Sequence, residues 1–343
     1  MQGIYLYRPW DRAHHPVDAA TRAPDYLASW LKAFPDSQPK VRDFEDWSEN
    51  AVILHEATVR GLPLTILPAG QAGYTSTSGF EMPVSDDAAP VGAMFGLWGQ
   101  FDFRSGLPVP IRLVGQDARS ASTASMYAKS PVFLRNAGRT CVYSAATSES
   151  FDEAVAAVMG DRPEADVFIK TVRKESADLY RFEAGRSYYD QLGEQNEDIV
   201  WDFVRFEGNR DMLLVQGAIE CRYEYRFFVI DGKVVTGGGC VEHHTPLDCT
   251  ETFDAKMAPS RNRSEVGSYP EVRDQHLAFA LRFAAEFEAE HGPGLDYCLD
   301  VCLDGEGRSA VIELNPPLNC GRYARDVGVW MDAIVARTEA HAA

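Results

Sequence analysis

Basic residues are scarce in this chain: 33 Lys and Arg against 51 Asp and Glu leave a formal net charge of −18. A surface of that sign excludes nucleic-acid backbone as the main partner, because phosphate neutralisation needs a basic face. A small basic site for phosphates is still compatible with it. No apolar run approaches the length of a bilayer span, so no membrane partner is expected. MQGIYLYRPWDR has no basic segment leading into an apolar core, so no secretory leader is expected either. The seven cysteines contain no C-x-x-C pair and are odd in number. Free thiols in a reducing, cytoplasmic setting are the simplest account.

A chain of 343 residues is long enough for two or three domains, and 45% hydrophobic with 11% aromatic content is ordinary for a globular protein. Residues 1–125 read as a small α/β region. GIYLY is an opening strand, SENAVILHEATVRG a helix closed by Gly61, and LPLTIL a strand ahead of Pro68. GAMFGLWGQFDF is a candidate buried strand or partner surface, and SASTASMYAKS (120–130) a polar connector that sets the domain boundary. Residues 126–343 then form a second domain with lobes at 126–220 and 221–343.

The most informative stretch is YCLDVCLDGEGRSAVIELNPPLNCGRY, residues 297–323. It reads as two strands joined at DGEGR. Counting back from a four-residue turn at 305–308, Asp304 faces Ser309 and Asp300 faces Glu313, with Asn315 two residues further on. Opposed carboxylates about 5 Å apart repel, so a surface hairpin with solvated acids or a bound divalent cation must relieve them. Mg²⁺ takes one or two carboxylates and leaves its other positions to water and phosphate. Cys298 and Cys302 flank Asp300, but thiolates do not match the hard oxygens around them.

Upstream, PVFLR (131–135) and ADVFIKT (165–171) read as short strands ending in Arg135 and Lys170. Either these are polar sheet edges, or two long cationic arms lie over a phosphate. Between them Ser150-Phe-Asp-Glu153 reads as a capping box opening a helix with Val155, Val158 and Met159. Residues 172–210 read as helix plus mobile loop, and MLLVQGAIE as a buried strand that breaks at Gly217.

The clearest hairpin is ECRYEYRFFVIDGKVVTGGGCVE, turning at Asp231-Gly232. It puts Arg226 inside a strong β-pattern, where it needs Glu224 or an anionic ligand as partner. Residues 246–269 read as a functional or mobile loop. His243-His244 with Asp248 and Cys249 matches no zinc framework, so substrate contact is the better reading. EVRDQHLAFALRFAAEFEAEHGPG is an amphipathic helix with Leu277, Ala280, Leu281, Ala284 and Phe287 on one face, and a last helix follows Asp326.

From Ser130 to Ala343 this order of elements resembles the ATP-grasp superfamily. The carrying motifs are DVFIK, LLVQGAIE, EYRFFVIDGKVV and DVCLDGEGRSAVIELNPP, and IELNPPLNCGRYA looks like a divergent branch with many small bacterial and phage ligases. The resemblance implies an α+β fold in which two lobes clasp ATP, preceded by the smaller α/β domain. It implies that Lys170 and Arg135 contact phosphates, with Arg135 standing where many members carry Lys. It implies that the backbone of Gln216, Gly217, Ala218 and Ile219 meets the adenine edge, and that Glu220 or Glu224 takes the ribose or a polar base atom. Arg226 would face the γ-phosphate or an acyl-phosphate, Arg322 would hold the substrate carboxylate or the acyl-phosphate unless it is a plain surface residue, and Asp300, Glu313 and Asn315 would hold Mg²⁺. The implied activity joins a small-molecule or peptide carboxylate to an amine with release of ADP, and a homodimer is compatible with it. A phosphotransferase and a non-catalytic ATP-binding assembly factor are the alternatives.

Overall fold

The computed structural model describes residues 4–7, 14–41, 44–67, 91–95, 112–114, 130–171, 177–198, 213–241, 243–260, 265–315, 317, 320–321 and 323–342. The connector at 120–129, most of GAMFGLWGQFDF and Arg322 lie outside them. The structure is α+β. It divides into two compact units: residues 1–122, 222–302 and 313–343 make unit 1, and residues 123–221 with 303–312 make unit 2.

Unit 1 opens with strands β1 (Ile4–Tyr7), β2 (His14–Pro16) and β3 (Gln38–Lys40), and helices α1 (Ala19–Arg22), α2 (Pro24–Ala33) and α3 (Phe44–Val59). Strands β4 (Leu64–Leu67), β5 (Val91–Phe95) and β6 (Arg112–Val114) follow. The first, fourth, fifth and sixth strands form one parallel sheet in the order β4-β1-β5-β6. The opening strand, the helix closed by Gly61 (φ 61°) and the following strand are therefore as the sequence reads.

In unit 2, β7 (Cys141–Ser144), β8 (Glu164–Thr171), β9 (Ala177–Glu183) and β10 (Leu213–Gly217) form an antiparallel sheet in the order β7-β10-β8-β9. Helices α4 (Pro131–Asn136), α5 (Ser148–Met159) and α6 (Tyr188–Gln195) complete it. Three sequence expectations are corrected here. PVFLR is helix, not strand, because Ser130 accepts a hydrogen bond from the Phe133 N–H and Pro131 occupies the first turn, which is a helix start. The α5 cap is Thr147, three residues before the expected one; Ser150 sits inside the helix, and its hydroxyl accepts from the Ala145 N–H. A strand, β9, lies within the segment read as helix plus loop, and its alternation shows in the buried Tyr180 and Phe182.

The rest of unit 1 holds the second antiparallel sheet, in the order β12-β11-β15-β16: β11 (Arg222–Ile230), β12 (Lys233–Gly239), β15 (Tyr297–Leu303) and β16 (Ser309–Asn315). The tip of the β15–β16 hairpin, 303–312, belongs to unit 2. Asp231 and Gly232 turn β11 into β12 with positive φ at both residues (54° and 71°), as a type I′ turn requires. Helices α7 (Pro270–His291) and α8 (Val327–Ala342) flank this sheet in sequence. Of the expected α7 face, Ala280, Ala284 and Phe287 are buried, but Leu281 is exposed and Phe279 and Phe283 take the inward positions. A stacked Phe279–Phe283–Phe287 row explains the rotation, since rings bury more area than leucines. The core of unit 1 gathers Trp30, Trp47, Trp330, Phe228 and Ile230.

The segment 246–269, expected to be a functional or mobile loop, includes β13 (Lys256–Met257) and β14 (Gly267–Ser268), and one carboxylate ties residues 250–256 together. Asp254, fully buried, accepts hydrogen bonds from the Thr250 N–H (2.8 Å) and hydroxyl (2.9 Å) and from the Lys256 N–H (2.9 Å) and ammonium (2.7 Å).

His276 on α7 is fully buried and donates from Nε2 to the Tyr223 carbonyl at 3.0 Å, tying the helix to a residue at φ 54°. Burial lowers its pKa from 6.5 to about 4. The unfolded imidazole therefore takes up a proton first, and stability is whole above pH 6.5 and falls as the pH drops toward 4. The loss reaches about 3 kcal/mol. Urea denaturation across this range should show the slope in the unaltered chain and a flatter one in His276→Gln.

Candidate functional site

Three adjacent strands, β11, β15 and β16, carry the polar centre of unit 1. Asp300 lies in the middle of β15, where every residue is buried, and is itself 1% exposed. A carboxylate so placed must be paired. Its partner is Arg226 of β11: Nε donates to Oδ1 and one terminal nitrogen to Oδ2, both at 2.7 Å. This is the fork-to-fork geometry in which a guanidinium binds a carboxylate most strongly. The other terminal nitrogen donates to the Gly321 carbonyl at 3.2 Å, and the guanidinium lies 5.3 Å from the centre of the Tyr323 ring.

The amide of Asn315 completes the arrangement. Its Nδ2 donates 2.8 Å to Asp300 Oδ2 and 2.8 Å to Glu313 Oε1. An amide nitrogen has two hydrogens, so one group can bridge two carboxylates. Asp300, Glu313 and Asn315 thus come together as the strand alternation suggests. The turn between their strands is tighter than the count assumed. The Asp304 N–H donates to the Arg308 carbonyl (2.9 Å) and the Gly307 N–H to the Asp304 carbonyl (3.0 Å), so residues 305–307 make the loop. What bridges the two acids is the Asn315 amide, while the Arg226 guanidinium engages Asp300 from the β11 side. Glu224 is not the partner of Arg226.

Burial by itself would lower the pKa of Arg226, but the Asp300 carboxylate against it holds the guanidinium well above its usual value. Tyr323 adopts φ 48°, a left-handed conformation that costs a non-glycine residue on the order of 1 kcal/mol or more. Gly321 and Tyr323 both meet the guanidinium. Beneath it Cys298 and Cys320 place their sulfurs 3.1 Å apart. Burial opposes ionisation of both thiols, yet the Cys298 contact and the Arg226 and Arg325 cations bring Cys320 below its ordinary value. All seven cysteines are free.

The donors available to a divalent cation here are carboxylate and amide oxygens, the hard set that suits Mg²⁺. Glu313, Asn315 and Asp300 fit it by chemistry, with both Asp300 oxygens engaged by Arg226 and Asn315. Among the described residues no group of three or more His, Cys, Asp and Glu is poised around a metal position. That includes His243, His244, Asp248 and Cys249. Burial lowers the pKa of His244 despite the opposing charge of Asp248.

In unit 2, Lys170 stands near the end of β8, paired in register with Leu214 of β10 and Ala177 of β9. Gln216 and Gly217 end β10, and Ala218, Ile219 and Glu220 follow without regular secondary structure. Arg135 lies in the last turn of α4 rather than at a strand end. The cation at the start of the true strand is Arg139, which sequence reasoning passed over. Its Nε donates to Gln216 Oε1 at 2.8 Å, and its terminal nitrogens to the carbonyls of Ala137 (2.8 Å), Val311 (2.7 Å) and Ile312 (2.9 Å). The signal was available: Ser-Pro marks a helix start, which moves the strand and its leading cation downstream. Gly138, at φ 65°, lets this join close up, since a Cβ there would lie 3.0 Å from that of Ala310.

No family model and no curated protein matches the sequence. Solved structures do. The chain is similar to a RimK domain protein ATP-grasp from Sphaerobacter thermophilus (14% identity, 99% of this chain and 100% of that one, TM-score 0.45). It is also similar to D-alanyl-alanine synthetase A from Vibrio cholerae (12% identity, 98% of both chains, TM-score 0.47) and to the D-cycloserine synthetase DcsG (12%, 99% of both, 0.48). These likenesses are of outline over the whole length, and the side chains above stand on their own.

Removing the charge of Asp300 leaves Arg226 buried without its counter-ion. Asp300→Asn is expected to cost about 3–5 kcal/mol of stability. In urea denaturation most of that loss should be recovered when Arg226→Met is added, because the double variant buries no unpaired charge.

Proposed function

We propose that this chain is an ATP-dependent carboxylate–amine ligase of the ATP-grasp type. The observation that carries the reading is the Arg226–Asp300–Asn315–Glu313 constellation, buried at its first three members and half-buried at Glu313. A guanidinium, two carboxylates and an amide held across three strands are costly to bury. They are the groups that polyphosphate and its counter-cation require.

In this reading Lys170 binds nucleotide phosphates, joined by Arg135 if its helical position allows the reach. The backbone of Gln216 to Ile219 meets the adenine edge, with Gln216 kept in place by Arg139. Glu220 or Glu224 takes the ribose or a polar base atom. Glu313, Asn315 and Asp300 hold Mg²⁺, which supplies charge neutralisation on the phosphates. Arg226 faces the γ-phosphate and Arg322 the substrate carboxylate.

The substrate carboxylate attacks the γ-phosphorus and ADP leaves, giving an acyl-phosphate. An amine then adds to the acyl carbon, phosphate departs, and the amine's proton is released. The chain contributes position and charge rather than a covalent group. Substrates of the matching chemical class are small-molecule or peptide acids and amines.

Release of ADP from Mg²⁺-ATP, followed with pools of amino acids and short peptides, tests this. Turnover should require an acid together with an amine. Glu313→Gln should lower it by about a hundredfold or more, and Lys170→Met should weaken nucleotide binding by about tenfold. ADP formed with a hydroxyl acceptor and no amide product would favour the phosphotransferase alternative. Tight nucleotide binding without turnover in any pool would favour the assembly factor.

A further inference from the structure

The guanidinium of Arg226 and a divalent cation would compete for the same two oxygens. Arg226 holds both oxygens of Asp300 at 2.7 Å, and Asn315 holds Oδ2 again at 2.8 Å. A cation approaching Asp300 would meet a fixed positive charge already in contact with its ligand, in a place water screens poorly. The guanidinium is itself retained from behind by the Gly321 carbonyl and the Tyr323 ring, on a segment with a left-handed tyrosine. Oδ1 keeps a second lone pair, so a cation could reach Asp300 only against the charge of the guanidinium, and drawing Arg226 off removes that opposition.

We infer that Arg226 is a resident counter-cation that keeps Asp300 from metal until a polyphosphate claims the guanidinium, so that nucleotide and divalent cation bind cooperatively. The inference rests on the ligase reading and adds an order to it: phosphate first engages Arg226, and Asp300 then becomes a ligand beside Glu313 and Asn315. The coupling is reciprocal, so metal on Asp300 also frees Arg226 for phosphate. Its use is economy of the resting state. Asp300 is neutralised by a group the chain carries with it, and Mg²⁺ is admitted with the substrate that needs it.

The test is Mn²⁺ binding to the full-length chain without nucleotide, read from the electron paramagnetic resonance signal of free Mn²⁺. The unaltered chain should bind weakly. Arg226→Met should bind at least about tenfold more tightly, equivalent to about 1.4 kcal/mol. Arg226→Lys keeps the charge and the fold but can cover only one oxygen, so it should fall between the two. Circular dichroism melts confirm that each variant is folded. Arg226→Met combined with Asp300→Asn should lose the gain, which assigns it to Asp300. Equal Mn²⁺ affinity in the unaltered chain, Arg226→Met and Arg226→Lys would overturn the inference. So would a gain that survives the double substitution. A parallel titration with AMP-PNP, an analogue that is not hydrolysed, separates the two levels. Failure of AMP-PNP to bind would overturn the ligase reading beneath the inference. Bound AMP-PNP with unchanged Mn²⁺ affinities across the variants would overturn the inference alone.

Discussion

A single bidentate ion pair, Arg226 to Asp300, organises unit 1. Two charges taken out of water at the centre of a sheet are stable only if each satisfies the other and the remaining lone pairs are bonded. That condition is met by Asn315 on one side and by the Gly321 carbonyl on the other. The pair ties β11 to β15, and the Asn315 amide ties β15 to β16. The ring of Tyr323, a residue at φ 48°, lies 5.3 Å from the guanidinium. We propose that this pair serves phosphate and metal handling, for which its groups are chemically suited.

The same pair explains how much of the site could be read from the sequence. Alternation in YCLDVCLD and AVIELNP put Glu313 and Asn315 on one face of β16 and, with the turn count, Asp300 opposite Glu313. The turn was miscounted by one residue, a slip that would send side chains to opposite faces in an ideal ladder. The hydrogen bonds of Asn315 show the three groups together nonetheless. The pairing of Arg226 was not legible, because it depends on which strand lies beside β15. Sheet order is a tertiary property, and β11 and β15 are separated by the segment 246–269 and all of α7.

Unit 2 shows the opposite balance. β8 and β10 are apolar runs bounded by turn residues, and the sequence places both. PVFLR failed because five apolar-rich residues suit a strand or a helix, and only the Ser130–Pro131 start decides. With that strand went Arg135 as its terminal cation, while Arg139, two residues ahead of the true strand, was overlooked. β9 was hidden by its exposure: at an edge of the sheet only Tyr180 and Phe182 turn inward, and the charged residues between them read as helix or loop. In α7 the period was right and the face was rotated, because three phenylalanines outweighed two leucines.

The central claim is that the Arg226–Asp300–Asn315–Glu313 constellation serves activation of a carboxylate by ATP. The most direct measurement is capture of the activated acid: Mg²⁺-ATP, a pool of candidate carboxylates and hydroxylamine in place of the amine, with hydroxamates identified by mass spectrometry. The account predicts a hydroxamate formed in step with ADP and lost when Glu313 is replaced by Gln. ADP formed in equal amount with no hydroxamate from any acid would contradict it.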